Sequence, residues 1–210
     1  MSSDARPVNP DYYFTIERAS TAEFKDRGSR FIAFVFPVTD IPACKEKLAL
    51  VKKEHPKATH HCLAYRLGPG GMTYRVSDDG EPSGSAGRPI LGQIDSRQLT
   101  DVIVIVARYF GGTLLGVPGL INAYKTAAAL ALQVTPLVQK PVLVHYAIQF
   151  DYMSVNDVMM VCKQFDCIIE KQEMLLFCDM VIGIPRNRQD EVLYKLKEIR
   201  GASVREASTG

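Results

Sequence analysis

The chain has 210 residues, 47% hydrophobic and 23% charged, which suits an ordinary globular protein of one large or two modest domains. No apolar run is long and clean enough to span a bilayer, and Met1-Ser2-Ser3-Asp4 does not open a basic segment followed by an apolar core, so no membrane association is expected and the expected location is the cytoplasm. The net charge of +2 singles out no partner; divided at Lys140, the first part holds 17 Lys/Arg against 13 Asp/Glu (+4) and the remainder 8 against 10 (−2), which permits a basic face on the first part.

Residues 1–10 hold Pro7 and Pro10 without apolar rhythm and read as a loose lead-in. Tyr12–Ala19 alternates loosely as a strand. Arg30–Phe36 is a stronger one, aromatic and branched and stopped by Pro37, with a hairpin turn at Asp26-Arg27-Gly28 joining the two. Asp40 caps a helix with Pro42 in its first turn and Ile41, Cys44, Leu48 and Val51 on one face; Lys45, Lys47, Lys52 and Lys53 decorate the rest, and Pro56 ends it. A strand from about Cys62 to Leu67, a turn at Gly68–Gly71 and a returning strand Met72–Val76 follow. Ser77–Pro89 is too polar and interrupted for a core element and reads as a long loop, followed by a short helix Ile90–Leu99.

Val102–Ala107 is dense in Val and Ile and reads as a buried strand. A loop with Gly111, Gly112, Gly116 and Gly119 leads into an Ala/Leu-rich helix starting near Pro118. The pattern resets near Pro141. Val142, Val144, Tyr146, Ile148 and Phe150 alternate as a half-buried strand, and Val155–Phe165 marks a helix face. Cys167–Lys171 and Leu175–Gly183 are strands about a turn near Gln172-Glu173; Gln189–Ile199 is a helix and Ser203–Glu206 a last strand. The order β-α-β-β-α-β suggests a ferredoxin-like sandwich. The fold class is therefore α+β in two domains, with a boundary near Pro136–Pro141: residues 1–138 and 139–210.

The five cysteines, Cys44, Cys62, Cys162, Cys167 and Cys178, form no Cys-x-x-Cys pair, and an odd count argues against a complete disulfide framework. His60 and His61 are adjacent on a strand, so they point to opposite faces and do not share a metal; His55 and His145 lack ligand spacing, and no metal or cofactor is expected. Asp78-Asp79-Gly80-Glu81 is not an EF-hand loop and reads as an acidic turn whose carboxylates accept backbone N–H groups or pair with Arg75 or Arg88. The Gly111–Gly119 loop has two readings. Its N–H groups and the following helix terminus suit an anion, with Arg108 and Lys125 nearby; equally, its glycines allow close packing of strand and helix, with Ala123, Ala127 and Ala131 as a smooth face. Its spacing fits neither nucleotide-binding glycine motif.

DGEPSGSAGRPIL (Asp79–Leu91) followed by ARYFGGTLLGVPGLINAY (Ala107–Tyr124), with ATHHCLAYRLG (Ala58–Gly68) upstream, resembles the paired motifs of the YigZ/IMPACT family over roughly residues 15–135. The resemblance implies an N-terminal domain like domain IV of elongation factor G, with a left-handed β-α-β crossover. It also implies a C-terminal domain like domain V of that factor, the tail of bacterial members. It implies a link to translation: eukaryotic members oppose activation of a kinase of an initiation factor by competing for its activating partner, and bacterial members have been proposed to bind nucleic acid or the ribosome. No catalytic residue is implied. The family usually has lysine where Leu114 stands, glycine at Pro118 and arginine at Asn122, so two cations that would grip phosphate are missing.

The expected function is a non-enzymatic factor binding RNA or the ribosome. The alternatives are a module that sequesters a regulatory protein partner, and an enzyme acting on a small molecule between the Asp79–Arg88 and Arg108–Gly119 loops. The candidate binding residues are Asp79, Gly80, Glu81, Ser83, Gly84, Arg88, Arg108, Tyr109, Phe110, Gly111, Gly112 and Lys125, with Tyr109 and Phe110 offering ring faces for stacking.

Overall fold

The computed structural model describes residues 9–207; most of the expected lead-in, residues 1–8, lies outside them. The chain divides into two compact units, Tyr13–Lys140 and the segment from Pro141 onward, with Asn9 belonging to the first and Pro10–Tyr12 to the second.

The first unit is built on a five-stranded sheet of β2 (Ser20–Asp26), β3 (Ser29–Pro37), β4 (His60–Leu67), β5 (Thr73–Ser77) and β6 (Val102–Tyr109), in the order β2-β3-β6-β4-β5. Each neighbouring pair is antiparallel. The central strand β6 is buried at every residue from Val102 to Arg108, because both faces of the sheet are covered. On one face Val102, Val104 and Val106 join Phe31, Ala33, Val35, Cys62 and Ala64 beneath two helices, α2 (Gly87–Ser96) and α3 (Gly116–Gln133). On the other face Ile103, Ile105 and Ala107 meet Ile32, Phe34, Leu63 and Tyr65 beneath α1 (Ile41–Glu54). A strand covered on both sides needs apolar residues at every position, which is why its sequence reads as a run and not an alternation.

The α1 boundaries follow from its ends. Asp40 has extended backbone and its carboxylate accepts the Ala43 N–H at 2.7 Å, while Pro42 occupies the first turn where a missing N–H costs nothing. In α3, Ala123, Ala127, Ala128 and Ala131 are fully buried and let the helix lie close over β2 and β3. Burial of this kind is worth roughly 25 cal/mol per Å² of apolar surface removed from water.

Several expectations are corrected. The partner of β3 is Ser20–Asp26, not Tyr12–Ala19. β2 carries only Ala22 and Phe24 as inward apolar residues among polar ones, so its pattern is faint. The earlier strand, β1 (Tyr12–Ile16), pairs instead with β7 (Leu137–Pro141), a short strand the sequence did not signal. β4 begins at His60, β5 runs one residue past its expected end, and α2 begins at Gly87 and ends at Ser96.

The second unit runs β8 (Leu143–Asp151), α4 (Val155–Gln164), β9 (Ile168–Met174), β10 (Phe177–Pro185), α5 (Gln189–Glu198) and β11 (Ser203–Glu206), with short 3-10 turns before each helix. Its sheet order, β11-β8-β10-β9, all antiparallel, is that of a ferredoxin-like sandwich. One face is apolar: Tyr146, Ile148 and Phe150 with Cys178, Met180, Ile182 and Ile184 pack against Val158 and Cys162 of α4 and Val192 and Leu196 of α5. The β9–β10 turn falls at Leu175-Leu176 and not near Gln172-Glu173; two exposed leucines at a turn run against the rule that turns are polar, and this displaced the expected position.

The close approach of α3 gives a direct test. Ala127→Leu forces extra methylenes into a filled contact and should cost about 1–3 kcal/mol in urea unfolding. An unchanged midpoint would mean that the alanine face is not tightly packed.

Candidate functional site

The site forms where the acidic loop after β5 meets the end of β6 and the third turn of α3. Asp79 and Gly80 both take positive φ, 44° and 90°, and the Glu81 N–H donates to the Asp78 carbonyl at 2.9 Å. This is the tight turn that Asp-Gly favours. It reverses the chain and sends Glu81 inward.

Asp78 organises the rest of the loop. Its Oδ2 accepts the Gly84 N–H at 2.8 Å, and its Oδ1 accepts those of Ala86 at 3.0 Å and Gly87 at 2.8 Å. Ala86, at the N-cap of α2, has no side chain to cap with, so Asp78 supplies the cap from nine residues upstream of Gly87. Burial raises the Asp78 pKa, but the N–H bonds from Gly84, Gly87 and Ala86 and the charge of Arg88 outweigh it, and the carboxyl is held below its ordinary range. Gly87 must lack a side chain, since a Cβ there would stand 2.8 Å from the Ser77 nitrogen.

Glu81 is buried, and its Oε1 accepts from Arg108 Nη1 at 2.6 Å and from the Tyr124 hydroxyl at 2.7 Å. Arg108 is itself 5% exposed, and its guanidinium carbon lies 5.4 Å from the Phe31 ring centroid and 5.7 Å from that of Phe110. The Tyr124 oxygen lies 3.3 Å from Cys62 Sγ, which is also 3.0 Å from the Asp78 carbonyl oxygen. Arg108, Glu81, Tyr124, Cys62 and Asp78 thus form one connected polar chain inside the apolar layer beneath α2 and α3. Burial pushes the Cys62 thiol up to about 12, reinforced by Glu81, Asp79 and Asp78 against the bond to Tyr124, so it stays protonated and is no nucleophile at neutral pH. Burial raises the Tyr124 hydroxyl too, with Cys62 and Glu81 adding to it.

Asp79 serves the other side of β4. Its Oδ2 accepts the His61 N–H at 2.7 Å, and Lys52 of α1 lies 3.9 Å from Oδ1. The Asp79 carbonyl accepts from His60 Nδ1 at 2.8 Å, and the His55 carbonyl accepts from His61 Nε2 at 3.1 Å. Burial lowers the His61 pKa, with Lys52 and His55 adding to it against the bond to the His55 carbonyl and the charge of Asp79. His60 and His61 face opposite sides of the sheet, as adjacent strand residues must. Among the described residues no group of three or more His, Cys, Asp or Glu is arranged to hold a metal ion.

The structure distributes the remaining candidates. Tyr109 lies on the α1 side, its hydroxyl 2.9 Å from His55 Nδ1 and Arg30 5.2 Å over its ring, so it and Arg108 occupy opposite faces. Phe110 is 48% exposed. Gly111 is pressed against the β2–β3 turn, where an added Cβ would fall 1.9 Å from the Gly28 carbonyl carbon; Gly112, with φ 87°, is exposed with open space around it. Ser83, Arg88 and Lys125 are exposed and Gly84 takes φ 76°. Past Phe110 the loop and the start of α3 expose Leu114 (83%), Val117 and Ile121, while Arg27 reaches across to donate to the Leu115 carbonyl at 3.3 Å.

Two expectations change. The acidic turn's carboxylates do accept backbone N–H groups, but the ion pairs they make are Glu81 with Arg108 and Asp79 with Lys52, not with Arg75 or Arg88, and the glycine-loop arginine is already paired within the chain. Sequence reasoning passed over Tyr124, Cys62 and Arg27. Tyr124 carried a signal: a tyrosine among the buried alanines of α3 needs a partner for its hydroxyl. Cys62 and Arg27 carried none.

A two-unit α+β chain whose first unit is locked by this acidic-loop–arginine pair and whose second is ferredoxin-like defines a narrow class. The family model of the Impact N-terminal domain matches residues 27–132. The IMPACT family member YigZ of Escherichia coli (strain K12) is 31% identical over 180 residues, which cover 85% of this chain and 88% of that protein. The IMPACT family member YvyE of Bacillus subtilis (strain 168) is 38% identical over 131 residues, 62% of this chain and 60% of that one. Among solved structures, the crystal structure of a hypothetical protein superposes with TM-score 0.78 at 28% identity, covering 95% of this chain and 99% of that one. The chain belongs to the IMPACT family.

The two glycines of the motif give separable outcomes. Gly111→Ala collides with the Gly28 backbone and should destabilise by about 3 kcal/mol or more. Gly112→Ala meets open space and should cost about 1–2 kcal/mol, from its left-handed backbone alone. Equal urea midpoints for the two variants would contradict the packing described.

Asp78 sets an acid limit. Its folded-state pKa is depressed, so its contribution is complete above the unfolded value near about pH 4 and is lost as the pH falls through the lower folded value. Asp78→Asn should therefore lower stability at neutral pH and flatten the decline below about pH 4. Parallel stability–pH curves for the two proteins would count against that role.

Proposed function

We propose that the chain is a non-enzymatic, cytoplasmic factor in translation regulation that acts by binding a regulatory protein through the surface around Phe110–Ile121. In this reading residues 1–138 form the IMPACT-like domain that carries the surface and residues 139–210 the ferredoxin-like domain. The link to translation is supported by family membership. The choice of a protein partner is supported by one observation above the others: the motif's arginine is buried and neutralised by Glu81, while Phe110, Leu114, Val117 and Ile121 are exposed side by side in sequence at turn and helix spacing. Exposed apolar residues gathered in this way mark contact with another protein. A grip on phosphate would need free cations in their place.

The RNA or ribosome reading keeps exposed cations in its favour, Arg88 and Lys125 as well as Arg27. Arg27 stands beside the loop with its side chain about half exposed, held at Leu115 and 3.6 Å from Asp26, and the exposed Phe110 ring offers a stacking face. An enzyme reading has less: the Cys62 thiol is held protonated and Glu81 Oε1 is engaged by both Arg108 and Tyr124.

A photo-crosslinker placed at Leu114 and activated in cell extract distinguishes the two. The expected product is a protein adduct that survives nuclease and about 0.5 M salt, conditions under which exposed charge pairs are heavily screened. It should disappear in Val117→Asp, and that variant should lose any effect of the added protein on cell-free translation. Nuclease-sensitive adducts, with RNA binding that falls steeply with salt and with Arg27→Ala, would overturn the proposal in favour of RNA.

A further inference from the structure

The end of α4 carries two thiols unconnected with the site above. Cys162 lies three residues from the C-cap Phe165, and Cys167 immediately precedes β9. Between them Asp166 takes φ 53°, and the Cys167 N–H donates to the Cys162 carbonyl at 2.9 Å. A left-handed residue with a bond from the next N–H back to the carbonyl five residues earlier is the Schellman ending of a helix. That ending brings the side chains at its two limits together, and usually both are apolar. Here both are cysteines.

The geometry suits a covalent link. With 2.9 Å between Cys167 N and Cys162 O, standard backbone dimensions limit the Cα separation to about 6.8 Å, within the range disulfides span. Cys162 is buried in the core of the second unit and Cys167 is half-buried at its margin, so the pair is reached from the Cys167 side. The two thiols also divide the labour of a reactive pair. A hydrogen bond from the Cys167 thiol lowers the Cys162 pKa against the opposing effect of burial, while that same bond, burial and the neighbouring charges of Cys162 and Asp166 raise Cys167. Ionisation is therefore favoured at Cys162, whose thiolate would accept the bond from the Cys167 thiol. By contrast, Cys44 is pushed up to about 11, chiefly by burial, and Cys62 to about 12.

We propose that Cys162 and Cys167 are a redox-modifiable dithiol, oxidised to an intramolecular disulfide by a hydroperoxide. The Cys162 thiolate attacks the terminal oxygen of the hydroperoxide. The O–O bond breaks, and the alcohol (water, for hydrogen peroxide) leaves with the proton that Cys162 had lost, so Cys162 becomes a sulfenic acid. The Cys167 sulfur then attacks the Cys162 sulfur, the S–O bond breaks, and hydroxide departs as water with the Cys167 proton. Two electrons pass from the sulfurs to the peroxide. The product ties the end of α4 to the start of the edge strand β9.

The test uses the full reduced chain and hydrogen peroxide as the probe. Free thiols should fall from five to three. Lys163 stands between the two cysteines, so trypsin separates them unless a disulfide holds the peptides together. The unreduced digest should contain that joined pair, and dithiothreitol should release it. In Cys167→Ser, a half-buried position that tolerates the change, the joined pair should be absent and Cys162 should be trapped by dimedone as a sulfenic acid. Five thiols remaining after treatment, a disulfide joining other cysteines, or an unreactive Cys162 in folded Cys167→Ser would each overturn the proposal.

Discussion

The buried ion pair between Glu81 and Arg108 is the constraint on which the rest of the first unit depends. At 2.6 Å, with both groups shielded from water, it is a charge-assisted bond in a setting where either partner alone would be an uncompensated charge. Its two ends belong to segments far apart in the chain: Glu81 to a loop held in shape by Asp78, and Arg108 to the last buried position of the central strand. Tyr124 brings in α3 through the same carboxylate oxygen. One acidic side chain therefore ties a loop, a strand and a helix together. The loop's own turn at Asp79-Gly80 serves to deliver that side chain to its place.

This changes the meaning of the glycine-rich motif. Arginine beside glycines at a helix start looks like equipment for an external anion, yet the anion it holds is internal. The glycines have packing reasons of their own, since Gly111 lies against Gly28 with no room for a side chain. Beside exposed polar positions such as Thr113 and Asn122, the motif leaves four large apolar side chains to solvent: Phe110, Leu114, Val117 and Ile121. The motif's arginine is structural, and its exposed apolar residues are available for contact.

Much of the fold was legible in the sequence because it rests on strong periodicities. The run Val102–Ala107, the cap at Asp40, the alternation from Val144 to Phe150 (Val142 falls just outside the strand) and the β-α-β-β-α-β order survive in the structure. The parts that were not legible depend on partners distant in sequence. β2 and β7 carry little apolar signal and exist because β3 and β1 are there to pair with them. The start of α2 is set by Asp78, a cap no local pattern reveals. The Glu81–Arg108 pair spans 27 positions, and no spacing rule joins a loop glutamate to the end of a strand.

The claim that Arg108 is an internal staple is tested most directly by a double-substitution cycle on the pair, read by urea unfolding. Arg108→Met and Glu81→Met should each cost about 3–5 kcal/mol, because each strands a buried charge, and the double variant should cost clearly less than their sum. Small, additive effects on stability would contradict the account and return Arg108 to the role of a free cation.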